Sequence, residues 1–384
     1  MKSPPDPTPT VRFTRRHWLK TGGATLAALT LAPRLTFAAA PPDRLPAPTG
    51  PVRLTLNENP FGPSLRVGEA LAKNLSGLAR YTTSEEVAVL VRQIAALEQI
   101  PPEHIILGEI LEPLGLQLSL NGGPGGEFLY STPGYNALVD AASPVGGVSV
   151  AVPLDAGQRN DLPALREKIS PRTRAVFLVN PHNPSGTVHG PDEFKDFVRD
   201  ASRQTLVIVD EAYLEFTEDF AARTATSLVR AGQNVVVFRT LSKAYGLAAL
   251  PVGYAIVPPA LADTLRRAGV GQPRSLNRLA LVAASAALAD QAFVAAVRAR
   301  VAAERLAWHD LFRELGVRHA DSRGNFVFFE TRVPHRTFAA ALLARGVDIG
   351  RAFPPLDTWA RISIGLPEEN ASARAAVRQI LHSL

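Results

Sequence analysis

Residues 235–254 read VVVFRTLSKAYGLAALPVGY, and this stretch decides the fold. Its β-branched start, residues 235–238, predicts a buried strand of a parallel sheet. The strand stops at Arg239, after which small and hydroxylated residues bracket a single lysine, Lys243. The pattern therefore predicts that Lys243 lies on a loop at the end of a strand.

Two apolar runs upstream end in the same way. Residues 175–179 lead into Asn-Pro-His-Asn-Pro at 180–184, and residues 206–209 lead into Asp-Glu-Ala-Tyr at 210–213. In open α/β sheets, ligands bind beyond the carboxyl ends of the strands. We therefore expect an amide, a carboxylate, a phenol and the amine of Lys243 to meet at one edge of the sheet.

These four groups match the requirements of one cofactor, pyridoxal phosphate. It needs an amine that attacks its carbonyl carbon, a carboxylate that holds its pyridinium proton and donors to its phenolate oxygen. From about Leu54 to the C-terminus, the chain resembles fold-type I aminotransferases of class I/II, and in particular the histidinol-phosphate aminotransferases. The motifs that carry the resemblance are NPHNPSGTV at 180–188, VDEAYLEF at 209–216, TLSKAYGLA at 240–248 and RISIGLPEEN at 361–370.

The resemblance assigns the contacts to the cofactor ring. Lys243 would hold the cofactor covalently and move a proton, Asp210 would hold the ring nitrogen, and Asn183 and Tyr213 would donate to the phenolic oxygen. Tyr135 would stack on the ring, although a buried core tyrosine is the alternative. Taken alone, Asn183 also fits an Asn-Pro turn without a ligand. Asp210 ends a wholly apolar strand, so it needs a cationic partner to stay ionised there.

The resemblance also implies a homodimer with shared active sites. Thr240 and Ser242 would contact the cofactor phosphate, and Tyr81 would reach the phosphate in the neighbouring subunit. The alternative for Tyr81 is an ordinary aromatic residue at the boundary of an element.

Substrate contacts are implied on both sides of the site. Arg361 matches the arginine that grips the substrate α-carboxylate with a planar bidentate fork, and a surface salt bridge is its alternative. Arg351 could make a second anion contact. Asn59 lies in a segment that crosses the mouth of the active site in the family. Phe61 stands where many histidinol-phosphate enzymes have a tyrosine, which argues against a phosphate-bearing substrate.

The chain departs from the family at the first phosphate contact. There the family has a Gly- and Ser-bearing turn at a helix start, where main-chain amides and a hydroxyl hold the phosphate. This chain has Ile110 and Leu111 instead, flanked by Glu109 and Glu112. The change removes a side-chain donor to the phosphate and adds negative charge, which repels a phosphate.

A second departure follows the lysine. Eight residues after it the family has an arginine that pairs with the phosphate, and this chain has Pro251, which has neither charge nor a backbone donor. Unless another cation such as Arg239 or Arg274 replaces it, we expect a cofactor held mainly by Lys243, Asp210 and ring stacking. Such a cofactor should be released readily once its bond to the lysine is broken.

The resemblance predicts an α/β protein of fold type I, with a mostly parallel sheet in a large domain and a smaller α/β C-terminal domain. The glycine-rich run at 122–126 is interpreted as a turn, because it lacks the following helix and acidic residue of a dinucleotide site. The predicted segments are a signal at 1–40, a linker at 41–53, an N-terminal segment at the active-site mouth at 54–65, a large pyridoxal-phosphate-binding domain at 66–262 and a small domain at 263–384.

Residues 1–40 predict export by the twin-arginine route. Arg15 and Arg16 precede a mildly apolar, Gly/Ala-rich run at 21–32. The alternatives are a basic surface helix or a membrane anchor, and the apolar run is too short and too weakly hydrophobic for the latter. Cleavage after Ala38 or Ala40 is consistent with the sequence, which predicts a periplasmic protein and a passing contact with the twin-arginine translocase.

Composition excludes other classes of partner. Of the net charge of +6, a share of +5 lies before Pro41, where six basic residues face one acidic residue. The near-neutral remainder has no basic run, which argues against nucleic acid as a partner. The eight histidines show no zinc-like spacing, so we assign no metal, and the absence of cysteine excludes disulfides.

The sequence thus predicts an aminotransferase that transfers an amino group from an amino acid or related amine to a 2-oxo acid in a ping-pong cycle. Racemases, decarboxylases and lyases on this fold use the same lysine, aspartate and arginine, so another pyridoxal-phosphate reaction remains an alternative. A non-catalytic binding protein that has lost its phosphate contacts is the alternative from another class.

Overall fold

Residues 50–383 are the part of the chain that this structure, a computed structural model, describes. The predicted export signal at 1–40 and most of the predicted linker lie outside it. The strands are β1 Val52–Leu54, β2 Ile105–Leu107, β3 Glu127–Thr132, β4 Val148–Pro153, β5 Thr173–Val179, β6 Leu206–Asp210, β7 Val235–Thr240, β8 Gly253–Ile256, β9 Phe326–Glu330, β10 Val347–Ile349 and β11 Trp359–Ser363.

The helices connect and cover these strands, and several short 3-10 turns join them. The α-helices are α1 Leu65–Asn74, α2 Ser84–Glu98, α3 Leu111–Gly122, α4 Ala137–Ala142, α5 Leu162–Lys168, α6 Pro191–Ser202, α7 Phe220–Arg223, α8 Thr226–Arg230, α9 Pro259–Arg267, α10 Arg278–Leu288, α11 Gln291–Glu314, α12 His335–Leu343 and α13 Pro367–His382. The 3-10 helices are Leu75–Ala79, Pro102–His104, Ser143–Val145, Leu214–Phe216 and Pro273–Ser275.

Seven strands form the central sheet, in the order β2-β8-β7-β6-β5-β3-β4. Pairing is parallel from β4 through β3, β5 and β6 to β7, and β8 is antiparallel to both of its neighbours. This arrangement confirms the predicted α/β fold with a mostly parallel sheet. The three strands whose ends carry the candidate site, β5, β6 and β7, lie side by side in its interior.

Both faces of this sheet are buried, which explains why its strands are apolar throughout. Along β5, Val176 and Leu178 belong to one hydrophobic core, while Ala175, Phe177 and Val179 belong to a second core on the other face. Successive side chains of a strand point to opposite faces, so a continuous apolar run supplies both cores at once. The sheet is therefore a rigid platform for the loops at its carboxyl edge.

Two small sheets lie outside the central one: β9 pairs antiparallel with β11, and β1, from the start of the described chain, pairs parallel with β10. The alanine-rich sequence at about 276–315 predicts a helical region, and the structure has two helices there, α10 and α11, with a 78° bend between them. Within residues 50–383 no single helix has the length and apolar character needed to cross a membrane, and only this bent pair meets those criteria jointly.

The spacing of Arg298, Arg305 and Arg313 along this region predicts a mostly solvated face, but two of the three side chains contact neighbouring segments instead. Arg298 donates from Nε to Glu215 O at 2.6 Å, and Arg305, which is buried, donates from Nη1 to Gly324 O at 2.8 Å. Helical spacing alone does not show that these guanidinium groups satisfy carbonyl oxygens of neighbouring segments. Arg313 is exposed, as predicted.

A buried ion cluster joins β7 to three other segments. Arg239, which is 1% exposed, lies 3.3 Å from Glu98 at the end of α2, 3.0 Å from Glu211 just after β6, and 3.6 Å from Glu215 in the following 3-10 turn. Its guanidinium carbon also lies 4.4 Å from the ring centroid of Phe220. One cation thus faces three buried carboxyl groups.

Hydrogen bonding distinguishes these carboxyl groups. Glu211 accepts from Thr224 Oγ1 at 2.9 Å and from Ala225 N at 2.7 Å, and Glu98 accepts from the Tyr254 hydroxyl at 2.6 Å. Glu215 Oε2 is buried and has no hydrogen-bond partner within residues 50–383. Desolvation raises the pKa of Glu215 to about 7, although Arg239 opposes the shift. Burial also raises the pKa of Glu211, but Arg239 and the hydrogen bonds from Ala225 and Thr224 oppose that shift. Because Oε2 of Glu215 has no such donor, Glu215 is the carboxyl group of the cluster that favours the protonated form below about pH 7.

This proton predicts a pH dependence of stability. Because the native pKa of Glu215 lies above its ordinary value, unfolding releases a proton between about pH 4.5 and 7, so the free energy of unfolding should fall as pH rises through that window. We expect Glu215→Gln to remove up to about 3 kcal/mol of this decline, measured by chemical denaturation from pH 5 to pH 8. Exposed Glu218→Gln is the matched control, and parallel pH curves for wild type and Glu215→Gln would contradict the assignment.

Candidate functional site

The carboxyl ends of the central strands enclose a cavity of about 180 Å³. Asp210 ends β6, Asn183 follows β5 and Lys243 follows β7, as the sequence predicts. Tyr213 lies at the start of a 3-10 turn beyond Asp210. The cavity is also lined by Glu109 and by three further residues that the sequence singled out, Tyr135, Thr240 and Ser242.

The loop that carries Lys243 turns tightly back on itself. Gly246 N donates to Lys243 O at 3.0 Å, and Gly246 adopts φ +73°, a left-handed conformation that favours glycine. The Lys243 ammonium donates to Leu56 O at 2.9 Å and lies 5.9 Å from the ring centroid of Tyr213. The amine is thus held against the segment at the mouth of the site and beside the phenol.

Asp210 is a buried carboxyl group, 2% exposed, with few donors. Within the described chain its side chain accepts one hydrogen bond, from Ala212 N to Oδ1 at 3.0 Å. Desolvation raises its pKa to about 7, against the smaller opposing effect of that hydrogen bond. A cation placed against Asp210, such as a protonated ring nitrogen, would restore the ionised form.

Tyr213 is held by two side-chain amides. Its oxygen accepts from Asn57 Nδ2 at 3.2 Å and from Asn183 Nδ2 at 3.3 Å, so its own hydrogen remains to be donated. Asn57 is 1% exposed, and its Oδ1 accepts from Ser363 Oγ at 3.0 Å. Asn57 was not among the residues predicted from the sequence, which instead included Asn59, two residues later in the same motif.

Arg361 lies beside this amide network. Its Nη1 donates to Asn183 Oδ1 at 2.5 Å and its Nη2 donates to Thr55 O at 2.9 Å, whereas its buried Nε has no hydrogen-bond partner in the described chain. Desolvation lowers its pKa from its ordinary value, and Arg351 adds to the effect. The guanidinium carbons of Arg361 and Arg351 lie 5.1 Å and 4.6 Å, respectively, from the ring centroid of Phe353. Both cations are therefore near one position for an anion.

Four predicted site residues lie outside the cavity lining, namely Arg351 and Arg361, described above, and Asn59 and Tyr81. Asn59 donates from Nδ2 to Ala244 O at 2.9 Å and accepts from Phe61 N at 3.0 Å, so it braces the lysine loop. Tyr81 is 83% exposed, and its predicted contact is with a neighbouring subunit. Arg239, considered above as a substitute phosphate ligand, is instead buried against Glu98, Glu211 and Glu215.

The donor set of this site fits the ring of pyridoxal phosphate. An amine, a buried carboxyl group with an unsatisfied requirement for a cation, and a phenol with a free hydrogen surround one cavity, and Tyr135, 42% exposed, offers its ring to it. The fit is poorer where the phosphate would lie. Ile110 and Leu111 are buried in the core, and α3 begins without a side-chain cap. The hydroxyls of Thr240 and Ser242 are the neutral donors there.

Comparison with known proteins agrees with this geometry. Residues 49–377 match the family Aminotransferase class I and II. Histidinol-phosphate aminotransferase of Limosilactobacillus fermentum is 36% identical over 334 residues, which cover 85% of this chain and 90% of that protein. Histidinol-phosphate aminotransferase 2 of Pseudomonas fluorescens Pf0-1 is 35% identical over 339 residues, covering 87% and 90% of the two chains.

Solved structures show the same similarity. Histidinol-phosphate aminotransferase from Sinorhizobium meliloti, in complex with pyridoxal-5′-phosphate, superposes with a TM-score of 0.75 at 26% identity, covering 86% of this chain and 91% of that one. Aspartate aminotransferase from Thermus thermophilus with maleate gives a TM-score of 0.75 at 23% identity, covering 87% and 92%, and shows the shared fold.

The turn at Gly246 provides a test of how the lysine loop is positioned. A Cβ there would lie 2.5 Å from Gly62 O, whereas a Cβ at Gly232, with a similar φ of +74°, meets nothing within 4 Å. We expect Gly232→Ala to cost about 1–2 kcal/mol of unfolding free energy from backbone strain alone. Gly246→Ala should cost about 1–3 kcal/mol more because backbone must move, and should slow borohydride trapping of an aldehyde on Lys243. Equal losses in the two variants would show that the contact with Gly62 is unimportant.

Proposed function

The chain belongs to the family of class I and II aminotransferases, and on this premise we propose how its residues perform transamination and on which molecules. It is a pyridoxal-phosphate-dependent aminotransferase that acts on amino and 2-oxo acids. The observation that carries the assignment of roles is the single cavity in which the Lys243 amine, the Asp210 carboxyl group and the Asn183–Tyr213 pair meet.

Lys243 has two tasks in this proposal. Its Nζ would hold the cofactor covalently, and, once the amino group of the donor has replaced it, the free amine would move a proton at the substrate Cα. Bound pyridoxal phosphate would supply an electron sink. The hydrogen bond from Nζ to Leu56 O keeps the amine at the mouth, where an entering donor meets it.

The other residues fix the electronic state and the orientation of the ring. Asp210 keeps the ring nitrogen protonated, because its buried carboxylate requires a cation. Asn183 and Tyr213 would donate to the phenolic oxygen, and Asn57 positions Tyr213 through its own amide. Tyr135 stacks on the ring face.

We propose an amino acid or related amine without a phosphate group as the donor. Arg361 would bind its α-carboxylate through the unpartnered Nε and a rearranged Nη1, with Arg351 as a second contact. Relatives are named histidinol-phosphate aminotransferases. Phe61 packs under Arg300, 5.2 Å from its guanidinium carbon, and offers no hydroxyl for a substrate phosphate.

Dimerisation is typical of the family, and we propose that the two active sites of a homodimer are shared. Tyr81 supports this, because a large aromatic side chain that is 83% exposed in one chain is suited to burial against another. In the dimer its hydroxyl would contact the cofactor phosphate of the partner subunit.

A spectroscopic experiment tests the function. Purified protein should show the absorbance of lysine-bound cofactor, which borohydride abolishes and Lys243→Ala lacks. Adding single amino acids should convert that absorbance to that of the amine form, and subsequent addition of a 2-oxo acid should restore it. Release of carbon dioxide or racemised donor without this conversion would favour the other reactions of the fold, and a colourless protein that cannot be reconstituted would favour a binding protein.

The variant Asp210→Ala tests the proposed role of this carboxylate at the ring nitrogen. Loss of the ring proton should lower turnover by about two to three orders of magnitude while leaving Lys243 able to bind the cofactor covalently. Exposed Asp192→Ala is the matched control and should leave both unchanged. Near-normal transamination by Asp210→Ala would refute the role of this carboxylate.

For the N-terminal segment we propose export to the periplasm by the twin-arginine route. Changing Arg15 and Arg16 together to lysine should leave folded, cofactor-loaded protein in the cytoplasm, as measured by cell fractionation. Arg12→Lys is the matched control. Periplasmic accumulation of the double variant at the wild-type level would show that these residues are not an export signal.

A further inference from the structure

Glu109 joins the cofactor cavity to a second cavity. It lines the cavity of about 180 Å³ that contains Lys243 and Asp210, and it also lines a neighbouring cavity of about 500 Å³ next to Ile110 and Pro251. A carboxyl group thus stands at the junction between the two spaces, at the start of α3.

The charges around this junction are mostly negative. Among the described residues that line the two cavities, Lys243 is the one cation, and Glu109 and Asp210 are the carboxyl groups. The lysine is committed to the aldehyde carbon of the cofactor and Asp210 to its ring nitrogen. Glu109 has no cation of its own in either cavity.

The constitution of the cofactor places its phosphate near Glu109. On the pyridine ring, the phenolic oxygen and the 5′ substituent flank the carbon that bonds to the lysine on opposite sides. Asn183 and Tyr213 occupy the phenolic side. The 5′ group therefore faces the remaining polar residues of the cavity, Glu109, Thr240 and Ser242.

Two of the neighbouring arginines, Arg239 and Arg361, are held elsewhere, and a third, Arg274, is exposed and precedes Ser275 of the second cavity. Arg239 precedes Thr240 in the chain, but its guanidinium faces Glu98, Glu211 and Glu215. Arg361 donates to Asn183 and to Thr55 O, on the phenolic side of the ring. No arginine of residues 50–383 lines either cavity.

The environment of Glu109 also disfavours an additional negative charge. Partial desolvation by the cavity walls raises the pKa of Glu109, and the charge of Glu112 raises it further, while the charge of Lys243 lowers it. A phosphate dianion beside this carboxylate would repel it. A neutral hydroxymethyl group would instead donate a hydrogen bond to it.

Resting on the cofactor site proposed above, we propose that Glu109 determines the selectivity of this site between phosphorylated and unphosphorylated forms of the cofactor. In most phosphate sites a cation makes the phosphate the main anchor. Here the 5′ end offers two hydroxyls, the uncapped main-chain amides at the start of α3 and a carboxyl group, but, among the described residues, no cation, so the site binds unphosphorylated vitamers nearly as tightly as phosphorylated ones.

Binding of the two amine vitamers to apoenzyme tests this directly, because they form neither a bond to Lys243 nor the internal hemiacetal of pyridoxal. We would measure dissociation constants of pyridoxamine and pyridoxamine 5′-phosphate at pH 8 by equilibrium dialysis. For the wild type we expect a preference for the phosphate of less than about 10-fold, and Glu109→Gln should tighten only the phosphate form, by about 10-fold.

Three further variants separate charge from structure. Pro251→Arg, which adds a cation at the second cavity, should also favour the phosphate form. Glu112→Gln should give a smaller gain, and exposed Glu103→Gln, the matched control, should change neither constant. A wild-type preference above about 100-fold that Glu109→Gln leaves unchanged would overturn the proposal and point to a cation from the partner subunit.

Failure of the selectivity proposal can be distinguished from failure of the proposed function. Trapping of pyridoxal phosphate on Lys243 forms an imine with loss of water, and borohydride reduces it to a secondary amine that mass spectrometry locates. If this adduct fails to form, the cofactor assignment itself is wrong. If it forms and the vitamer preference is large and insensitive to Glu109, only the selectivity proposal fails.

Discussion

The ion pair between Arg239 and Glu211 is the contact on which the geometry of the active site depends. The two residues lie at the ends of β7 and β6, and their side chains meet at 3.0 Å on one side of the sheet. Because successive side chains of a strand alternate, the neighbours Thr240 and Asp210 point to the other side, into the cofactor cavity. The ion pair between Arg239 and Glu211 therefore fixes the positions of Thr240 and Asp210, and with them the start of the loop that carries Lys243.

A buried cluster of this kind is a costly way to join two strands. Removing charges from water costs several kcal/mol per ion in proteins, and apolar substitutes of similar shape are often as stable. The directional contacts of one guanidinium with Glu98, Glu211 and Glu215 specify instead how α2, β6 and the turn beyond it meet. The proton on Glu215 lowers the excess negative charge, so specificity is gained while only part of the charge has to be buried.

The sequence predicted the parts of the site that depend on strand ends. Apolar runs followed by polar residues are local signals, and parallel strands bring their carboxyl ends together whatever the rest of the chain does. Asn57 and the roles of Arg298 and Arg305 were missed because they depend on contacts between distant segments. Asn57 reaches Tyr213 across 156 positions of sequence, and no local pattern distinguishes it from Asn59.

The two ends of the cofactor site follow different physical rules. At the ring end, the phenol of Tyr213 has two buried amide partners, Asn57 and Asn183, that orient it. At the 5′ end, neutral hydroxyls and Glu109 replace fixed cations, so little of the binding free energy can come from the phosphate. Under the proposed roles, retention would then depend on the covalent bond to Lys243, which would exist only in one half of the transamination cycle. The hold on the cofactor is therefore coupled to the supply of 2-oxo acid, because that substrate returns the site to its lysine-bound state.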